Sequence, residues 1–216
     1  MSKATQERPA DKAYETIRDG ILKGRWQGGA HLTEQKLVDL IGISRTPIRD
    51  ALRRLNNEGL VTISRNSGAR VARWDKVEID QIFDLRVLLE GHAAALAAEA
   101  IDDARLGMMT HLCDQMEDVV KHEQNISFSQ LATLNDQFHA HILTASGNGR
   151  LGLMVRQITN IPLVLRTYAH YAPDSLDRSM QHHREIVTAL GYRDKLWAQS
   201  LMQAHIRAGH AAVAAP

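Results

Sequence analysis

The sequence has 216 residues, enough for one large domain or two small ones, and its hydrophobic fraction of 44% is typical of a soluble globular protein. No apolar run approaches the ~20 residues that a membrane-spanning helix needs. The N-terminal segment lacks the apolar stretch of a signal peptide, and the single cysteine, Cys113, excludes an internal disulfide. These features predict a cytoplasmic protein without a membrane partner.

The net charge of +1 conceals an uneven distribution along the chain. Residues 1–74 contain 14 Lys and Arg against 8 Asp and Glu, whereas residues 75–216 contain 12 against 17. A basic end beside an acidic remainder indicates a nucleic-acid-binding domain joined to a domain with another role. Ten of the 11 histidines lie in the second part. Because imidazole is the commonest metal ligand, their concentration there is compatible with a metal site.

The N-terminal part of the chain predicts three helices. The first contains apolar residues at helical spacing from Ala13 to Leu22. The second, TEQKLVDLIG, has Thr33 as its N-cap and ends at Gly42. The third follows at once with Ser44 as its N-cap, and its apolar residues again recur on one face. Two helices so closely joined are typical of a helix–turn–helix.

Two short, β-branched stretches follow the helices, LVTIS at 60–64 and ARVAR at 69–73, separated by a turn at 65–68. A two-stranded hairpin after three helices is the element order of a winged helix–turn–helix. The domain boundary is expected at Trp74–Asp75, so the predicted DNA-binding domain comprises residues 1–74.

The third helix is the predicted recognition helix, whose N-terminal side chains face base edges in the major groove. Arginine there can bind guanine with two hydrogen bonds, and Ser or Thr can contact a phosphate or a base. Arg53 and Arg54, one turn further on, are expected at phosphates, and Gly68 permits close approach of the wing backbone. A solvated basic helix face is the alternative interpretation. The predicted DNA contacts are Ser44, Arg45, Thr46, Arg49, Arg53 and Gly68.

The stretch TEQKLVDLIGISRTPIRDALRRLNNEGLVTISRNSGARVA resembles the winged-helix domain of GntR-type bacterial transcription regulators. The resemblance covers residues 10–73 and implies DNA contacts at Arg45, Arg49 and the wing near Gly68. Val38 stands where the family commonly has alanine, and Gly28 where it often has proline. Neither departure changes the predicted fold.

From residue 76 to the end, the pattern is helical throughout. We predict roughly six helices in one antiparallel bundle, so residues 75–216 form an all-α domain and the fold as a whole is mainly α. Breaks in the helical pattern are expected at Gly91, near SFSQ, at the SGNG loop of residues 146–149, and at Pro162, Pro173 and Gly191.

The stretch LNDQFHAHIL contains four polar residues that helical geometry, at ~100° per residue, separates by direction. Asn135 and His139 lie on the inward flank of the apolar stripe that runs from Leu131 to Ala145. Asp136 points away from that stripe, and His141 lies on the opposite flank. The helix therefore presents one amide and one imidazole to the interior.

Two further helices each place a histidine at the centre of an apolar stripe. These are His183 and His205, whereas His182 is rotated away and His210 points outward. A buried imidazole needs a partner. The inward histidines therefore predict a metal site, with a hydrogen-bonded polar cluster as the alternative.

Arg86 lies almost at the centre of another inner stripe, with Glu90 one turn further on. A buried arginine must be paired. The pair is either an internal ion pair or a site where the planar guanidinium of Arg86 receives the carboxylate of a small ligand.

The succession LRVLLE, NDQFH, ASGN, HHREIVTAL and a late His205 resembles the FCD effector domain of FadR-like GntR regulators, over about residues 78–210. Many members bind a divalent metal. By resemblance, the ligands here are Asn135, His139, His183 and His205, although many members have aspartate at the first position. An uncharged amide lowers the expected affinity and favours Zn or Ni over Mg or Ca.

These features predict a DNA-binding transcription regulator, a repressor by resemblance, that binds double-stranded DNA as a homodimer at a pseudo-palindromic operator. A small carboxylate effector would bind the metal and Arg86. One alternative is a constitutive dimeric DNA-binding protein with a structural bundle. The other, a metalloenzyme fused to a DNA-binding module, lacks a free general base, because Asp136 faces outward and Glu90 is paired; no enzyme is expected.

Overall fold

The computed structural model describes residues 8–22, 24–64, 68–73, 76–121, 126–159, 167–168 and 171–214. Three sequence predictions fall outside them: the wing turn at 65–67, the boundary at 74–75 and the break at Pro162. The chain divides into two compact units, Met1–Asp75 and Lys76–Pro216. No helix in the described part of the chain is long and apolar enough to cross a membrane.

The first unit consists, over its described residues, of three helices and a small antiparallel sheet. The sheet has the strand order β1-β3-β2. The β2–β3 hairpin was predicted, but β1 was not, because two residues carry no periodicity and their partner strand lies far along the chain. The elements are α1 (Pro9–Leu22), β1 (His31–Leu32), α2 (Glu34–Ile41), α3 (Arg45–Asn57), β2 (Val61–Ser64) and β3 (Gly68–Val71).

The two ends of α2 form as their residue types predict. The Thr33 side chain accepts a hydrogen bond from Lys36 N at 3.3 Å, and Gly42 ends α2 in the left-handed conformation, with φ at 75°. Ser44 caps α3 without a side-chain hydrogen bond. The apolar face of α3 packs on α1, with Ile48 fully buried. The polar start of α3 is left facing solvent.

The second unit is an all-helical bundle over its described residues, in agreement with the sequence prediction. The long first and last helices pack along each other. Three of the other helices pack on this pair, and the second helix of the unit packs on two of those three. Their bounds are α4 (Lys76–Ala100), α5 (Asp103–Lys121), α6 (Phe128–Ala145), α7 (Gly149–Ile158), α8 (Pro173–Gly191) and α9 (Lys195–Ala214).

Gly91 does not break α4, contrary to the sequence prediction. The helix continues through it to Ala100. A Cβ at this position would lie 2.7 Å from Cγ of Gln203 on α9. The glycine therefore lets α4 and α9 approach closely, which brings side chains from both helices into one shared core.

Two glycines of the first unit give a matched test of the strand packing. Gly68 has φ at +87°, and a Cβ there would overlap the Leu32 carbonyl oxygen on β1. Gly42 has φ at +75° with nothing within 4 Å of such a Cβ. Both alanine variants incur the left-handed penalty of roughly 1–2 kcal/mol. We expect Gly68→Ala to cost about 1–3 kcal/mol more, because the strands must also move apart.

Hydrogen exchange of the α3 amides measures this difference within the first unit. Equal losses of protection in Gly68→Ala and Gly42→Ala would show that the contact with β1 does not constrain position 68.

Candidate functional site

The exposed start of α3 carries two arginines that α2 holds in place. Arg45 Nη2 donates a hydrogen bond to Gln35 Oε1 at 2.8 Å, and Arg49 Nε donates to Glu34 Oε1 at 2.8 Å. Both acceptors belong to the first turn of α2. The four polar residues predicted to contact DNA at the start of α3 are all exposed: Ser44, Arg45, Thr46 and Arg49.

The two arginines further along α3 have different surroundings. Arg53 is 73% exposed and lies 3.7 Å from Asp50 Oδ1. Arg54 donates to Asp11 Oδ1 at 2.7 Å and lies 3.9 Å above the centre of the Tyr14 ring. Arg54 therefore joins α3 to α1, whereas Arg53 projects into solvent.

Three histidines from three helices converge in the core of the second unit. His139 of α6, His183 of α8 and His205 of α9 are all buried. One nitrogen of each ring lies within 4.8 Å of a nitrogen of each other ring. These are the histidines that helical geometry places on inward faces, so their burial confirms that part of the sequence analysis.

Several nitrogens of this cluster are buried without a hydrogen-bond partner among the described residues. They are Nε2 of His139 and Nδ1 of both His183 and His205. Burial, followed by the neighbouring imidazoles, lowers the pKa of both His183 and His205 well below its usual value. Neutral rings with unpaired nitrogens fit a bound cation, since buried polar groups otherwise find partners and metal ligands must be deprotonated.

The amide of Asn135 lies at the edge of the histidine cluster. Its Oδ1 accepts a hydrogen bond from the Tyr168 hydroxyl at 2.8 Å and lies 3.1 Å from His183 Nε2. Burial raises the pKa of Tyr168 well above its usual value, so the phenol remains a donor. The oxygen of Asn135 therefore faces the histidines, as the sequence analysis expects of an inward residue.

Glu90 joins the arginine of α4 to the histidine cluster. Its Oε1 accepts a hydrogen bond from Arg86 Nε at 2.6 Å, and its Oε2 lies 2.5 Å from His139 Nδ1. Burial by itself would raise the pKa of Glu90, but Arg86 and His139 outweigh it and lower the pKa to about 2. An ionised carboxylate at this distance holds the proton on Nδ1 of His139 and leaves the lone pair on Nε2.

The Arg86–Glu90 ion pair was one of two alternatives open from the sequence, and it is present. The contact from Glu90 to His139 was not predicted. It crosses from α4 to α6, and helical spacing gives no information about contacts between helices. Tyr168 was also missed, because it follows a stretch without apolar periodicity.

A small cavity of about 20 Å³, enough for roughly one water molecule, is bordered by Arg86, Asn135 and one histidine of the cluster, His205. The guanidinium of Arg86 lies 5.4 Å from the centre of the Phe83 ring. The cavity thus lies between a positive charge and one imidazole of the cluster. The lining residues are Phe83, Arg86, Asn135, Thr167, Tyr168, Tyr171, His205, Ile206 and Gly209.

Of the remaining polar residues of the sequence analysis, His182 borders the cluster and does not point away from it: it is half-buried, its Nδ1 is buried without a hydrogen-bond partner among the described residues, and its ring centre lies 6.0 Å from that of His205. The others lie outside the cluster. Asp136 is exposed, as predicted, and His141 is half-buried beside Arg105. His210 does not point freely outward. It is half-buried, its Nε2 lies 2.7 Å from Asp80 Oδ1, and its ring stacks on Phe83. The end of α9 packs against the start of α4, which accounts for this difference.

Two family models match the chain. The family described as bacterial regulatory proteins, gntR family, matches residues 9–71, and the FCD domain matches residues 81–208. These ranges correspond to the two compact units.

Curated relatives and solved structures extend the match over most of the chain. The Glc operon transcriptional activator of Escherichia coli strain K12 is 26% identical, over 92% of this chain and 84% of its own. The transcriptional repressor GlaR of the same strain is 25% identical, over 89% and 90%. The structure of E. coli McbR/YncC has a TM-score of 0.63 at 21% identity, covering 94% of this chain and 95% of its own. At this identity the structural likeness shows the fold alone.

Replacing Glu90 by glutamine tests whether its charge maintains the core. The change leaves the buried guanidinium of Arg86 without a counter-charge, so we expect a loss of about 3 kcal/mol or more in metal-free protein. Glu117→Gln removes a similar bond to Arg184, but both of those side chains are partly exposed. We expect that control to cost less than about 1 kcal/mol.

Urea denaturation followed by helical circular dichroism compares the two variants. Comparable losses of unfolding free energy in both variants would mean that the ion pair in the core stabilises the protein no more than the one at the surface.

Proposed function

Because the chain belongs to the GntR family of bacterial regulatory proteins and carries an FCD domain, we propose that it is a metal-containing repressor controlled by a small carboxylate. Both family resemblances in the sequence are confirmed by the family models. Its domains and its relatives are those of transcription regulators and not of enzymes. The chain is therefore a DNA-binding transcription regulator and not an enzyme. Beyond this, we propose that the protein binds a metal, responds to an effector, forms a dimer and represses transcription.

The direction of regulation cannot be transferred from relatives, since one is named an activator and another a repressor. We propose repression that the effector relieves. For any effector to act, it must bind the DNA-competent and DNA-incompetent states with different affinities.

The start of α3 is the proposed surface that reads DNA bases. Arg45 and Arg49 are exposed but oriented by α2, an arrangement that suits bidentate binding to guanine. Ser44 and Thr46 flank them, and Arg53 reaches a phosphate. Two copies in a symmetric dimer would place two such helices on a pseudo-palindromic operator.

Exposed leucines support the proposed homodimer. Leu85 and Leu88 of α4 are 45% and 63% exposed, and Leu153 and Met154 of α7 are 50% and 52% exposed. The helices α4 and α7 pack against each other. Large exposed apolar side chains on adjoining helices are a common feature of protein interfaces.

The observation that carries the proposed metal site is the convergence of three buried imidazoles with unpaired nitrogens. His139, His183 and His205 would hold the ion, and the Asn135 oxygen would be the fourth ligand. Such a nitrogen-rich set favours Zn or Ni. The ion would supply a positive charge that attracts an anionic ligand, while Arg86 binds the ligand's carboxylate from the other side of the cavity.

Substitution of the α3 arginines should reduce operator affinity in different ways. We expect Arg45→Ala and Arg49→Ala each to weaken binding by about 1–3 kcal/mol and to relax base preference. Arg53→Ala should weaken binding to all sequences and reduce the salt slope by about one. Arg150→Ala, an exposed charge on α7, is the control and should have no effect.

Fluorescence anisotropy with DNA from upstream of the protein's own coding sequence, at several salt concentrations, measures these effects. Unchanged affinity in both Arg45 and Arg49 variants would exclude α3 as the recognition helix.

Two histidines on α6 separate the metal-dependent regulator from a constitutive DNA-binding protein. His139→Ala removes a proposed ligand, so zinc affinity should fall by more than about 100-fold. This loss exceeds the one expected when a residue that only hydrogen-bonds a metal ligand is removed. The response of operator binding to carboxylates should vanish with it. His141→Ala, two residues away and outside the cluster, should retain both properties.

Isothermal titration with ZnCl₂ and anisotropy with and without carboxylates provide the two readouts. Operator binding that is indifferent to zinc and to every carboxylate would support the constitutive alternative.

A further inference from the structure

We propose that Asp39 is a positioning residue for base reading by Arg45, and that it acts through the side-chain amide of Gln35. This inference rests on the proposed function, because it assumes that Arg45 at the start of α3 reads a base. It goes further by naming the residues that set the direction of this guanidinium, one of which lies a full helical turn away from it.

Two hydrogen bonds connect the three side chains in a row. Gln35 Nε2 donates to Asp39 Oδ1 at 2.8 Å, and Arg45 Nη2 donates to Gln35 Oε1 at 2.8 Å. Asp39 and Gln35 are one turn apart on α2, whereas Arg45 begins α3. The row therefore runs from an anion, through a neutral amide, to a cation on the other helix of the helix–turn–helix.

The amide of Gln35 fits between its two partners in one orientation only. An ionised carboxylate accepts hydrogen bonds and a guanidinium donates them, so the amide must present its NH2 group to Asp39 and its oxygen to Arg45. The reversed amide would place oxygen against oxygen at one end and donor against donor at the other. Asp39 therefore ensures that Arg45 faces an acceptor.

Arg49, one turn further along α3, is held in a different way. Its Nε donates directly to Glu34 Oε1 at 2.8 Å, so these two side chains form an ion pair. The direct partner of Arg45 is neutral, and the carboxylate of the row comes from a residue about 6 Å further along the axis of α2. Arg45 thus obtains a direction from an anion that is not bonded to it.

This separation matters because DNA brings negative charge to the same surface. Phosphates would repel a carboxylate bonded to Arg45, and that strong bond would have to break before the guanidinium could bind guanine with two hydrogen bonds. A neutral amide avoids the repulsion and is easier to displace. The order of anion, amide and cation therefore orients Arg45 and leaves it available to a base.

Replacing Asp39 by alanine tests this role, because the Gln35 amide can then turn either way and Arg45 loses part of its orientation. We expect the preference for the base pair that Arg45 reads to fall by about threefold or more. Asp50→Ala is the matched control. It removes the same charge from α3, where Asp50 lies 3.7 Å from Arg53. It should change affinity for all sequences alike and leave base preference unchanged.

Gln35→Ala breaks the same row at its centre and provides a second variant. It should weaken the preference at the same base pair, and combining it with Asp39→Ala should add no further loss, since both changes remove one connection. Both side chains are exposed, so the thermal unfolding curves of these variants should stay close to that of the wild type.

Base preferences would be measured by incubating full-length protein with a pool of randomised DNA duplexes and sequencing the bound fraction. Arg45→Ala identifies the base pair that Arg45 reads, and Arg49→Ala identifies the one that Arg49 reads. Asp39→Ala should weaken the first preference and leave the second unchanged. Fluorescence anisotropy with two selected duplexes, which differ only at the first base pair, gives the ratio of dissociation constants.

A double-mutant cycle completes the test. Asp39→Ala should have no effect on this ratio in the Arg45→Ala background and its full effect in the Arg49→Ala background. An unchanged ratio in Asp39→Ala, an equal loss in Asp50→Ala, or a loss that persists without Arg45 overturns the positioning role alone. If Arg45→Ala alters no base preference, the proposed recognition surface is refuted and the positioning role with it.

Discussion

The core of the helical bundle depends on Glu90, the one acidic side chain that is buried among the residues that the structure describes. Its two oxygens bind different partners, Arg86 on the same helix and His139 on α6. A buried charge needs such partners, since their removal would leave an ion in a medium that solvates it poorly. Glu90 thus joins α4 to α6 and also keeps the proton of His139, a proposed metal ligand, on Nδ1.

Arginine side chains of the first unit are also held by hydrogen-bond acceptors, but at the surface. There Glu34 and Gln35 of α2 hold the side chains of Arg49 and Arg45, but in contact with water. Exposed ion pairs contribute little to stability. The contacts with α2 orient the two guanidinium groups at the proposed DNA-reading surface, where DNA could replace these partners at small cost. In both units, acidic or amide oxygens thus hold arginine side chains at the sites where we propose that anionic ligands bind.

Long helices explain which parts of the site could be predicted from the sequence. Helical periodicity correctly placed Asn135, His139, His183 and His205 in the core, because each lies in a helix of 18 or more residues. It could not predict the Glu90–His139 contact, which depends on how separate helices pack. The two-residue strand β1 and the continuous helix through Gly91 were missed for the same reason, since both depend on partners distant in the chain.

The central claim is that three buried imidazoles and one amide form a metal site. Anomalous diffraction above and below the zinc absorption edge, from crystals of protein grown with equimolar zinc, tests it most directly. We expect one anomalous peak per chain, bonded to His139, His183 and His205 and adjacent to the Asn135 oxygen. Zinc bound only elsewhere, or an ordered cluster without a peak, would contradict it.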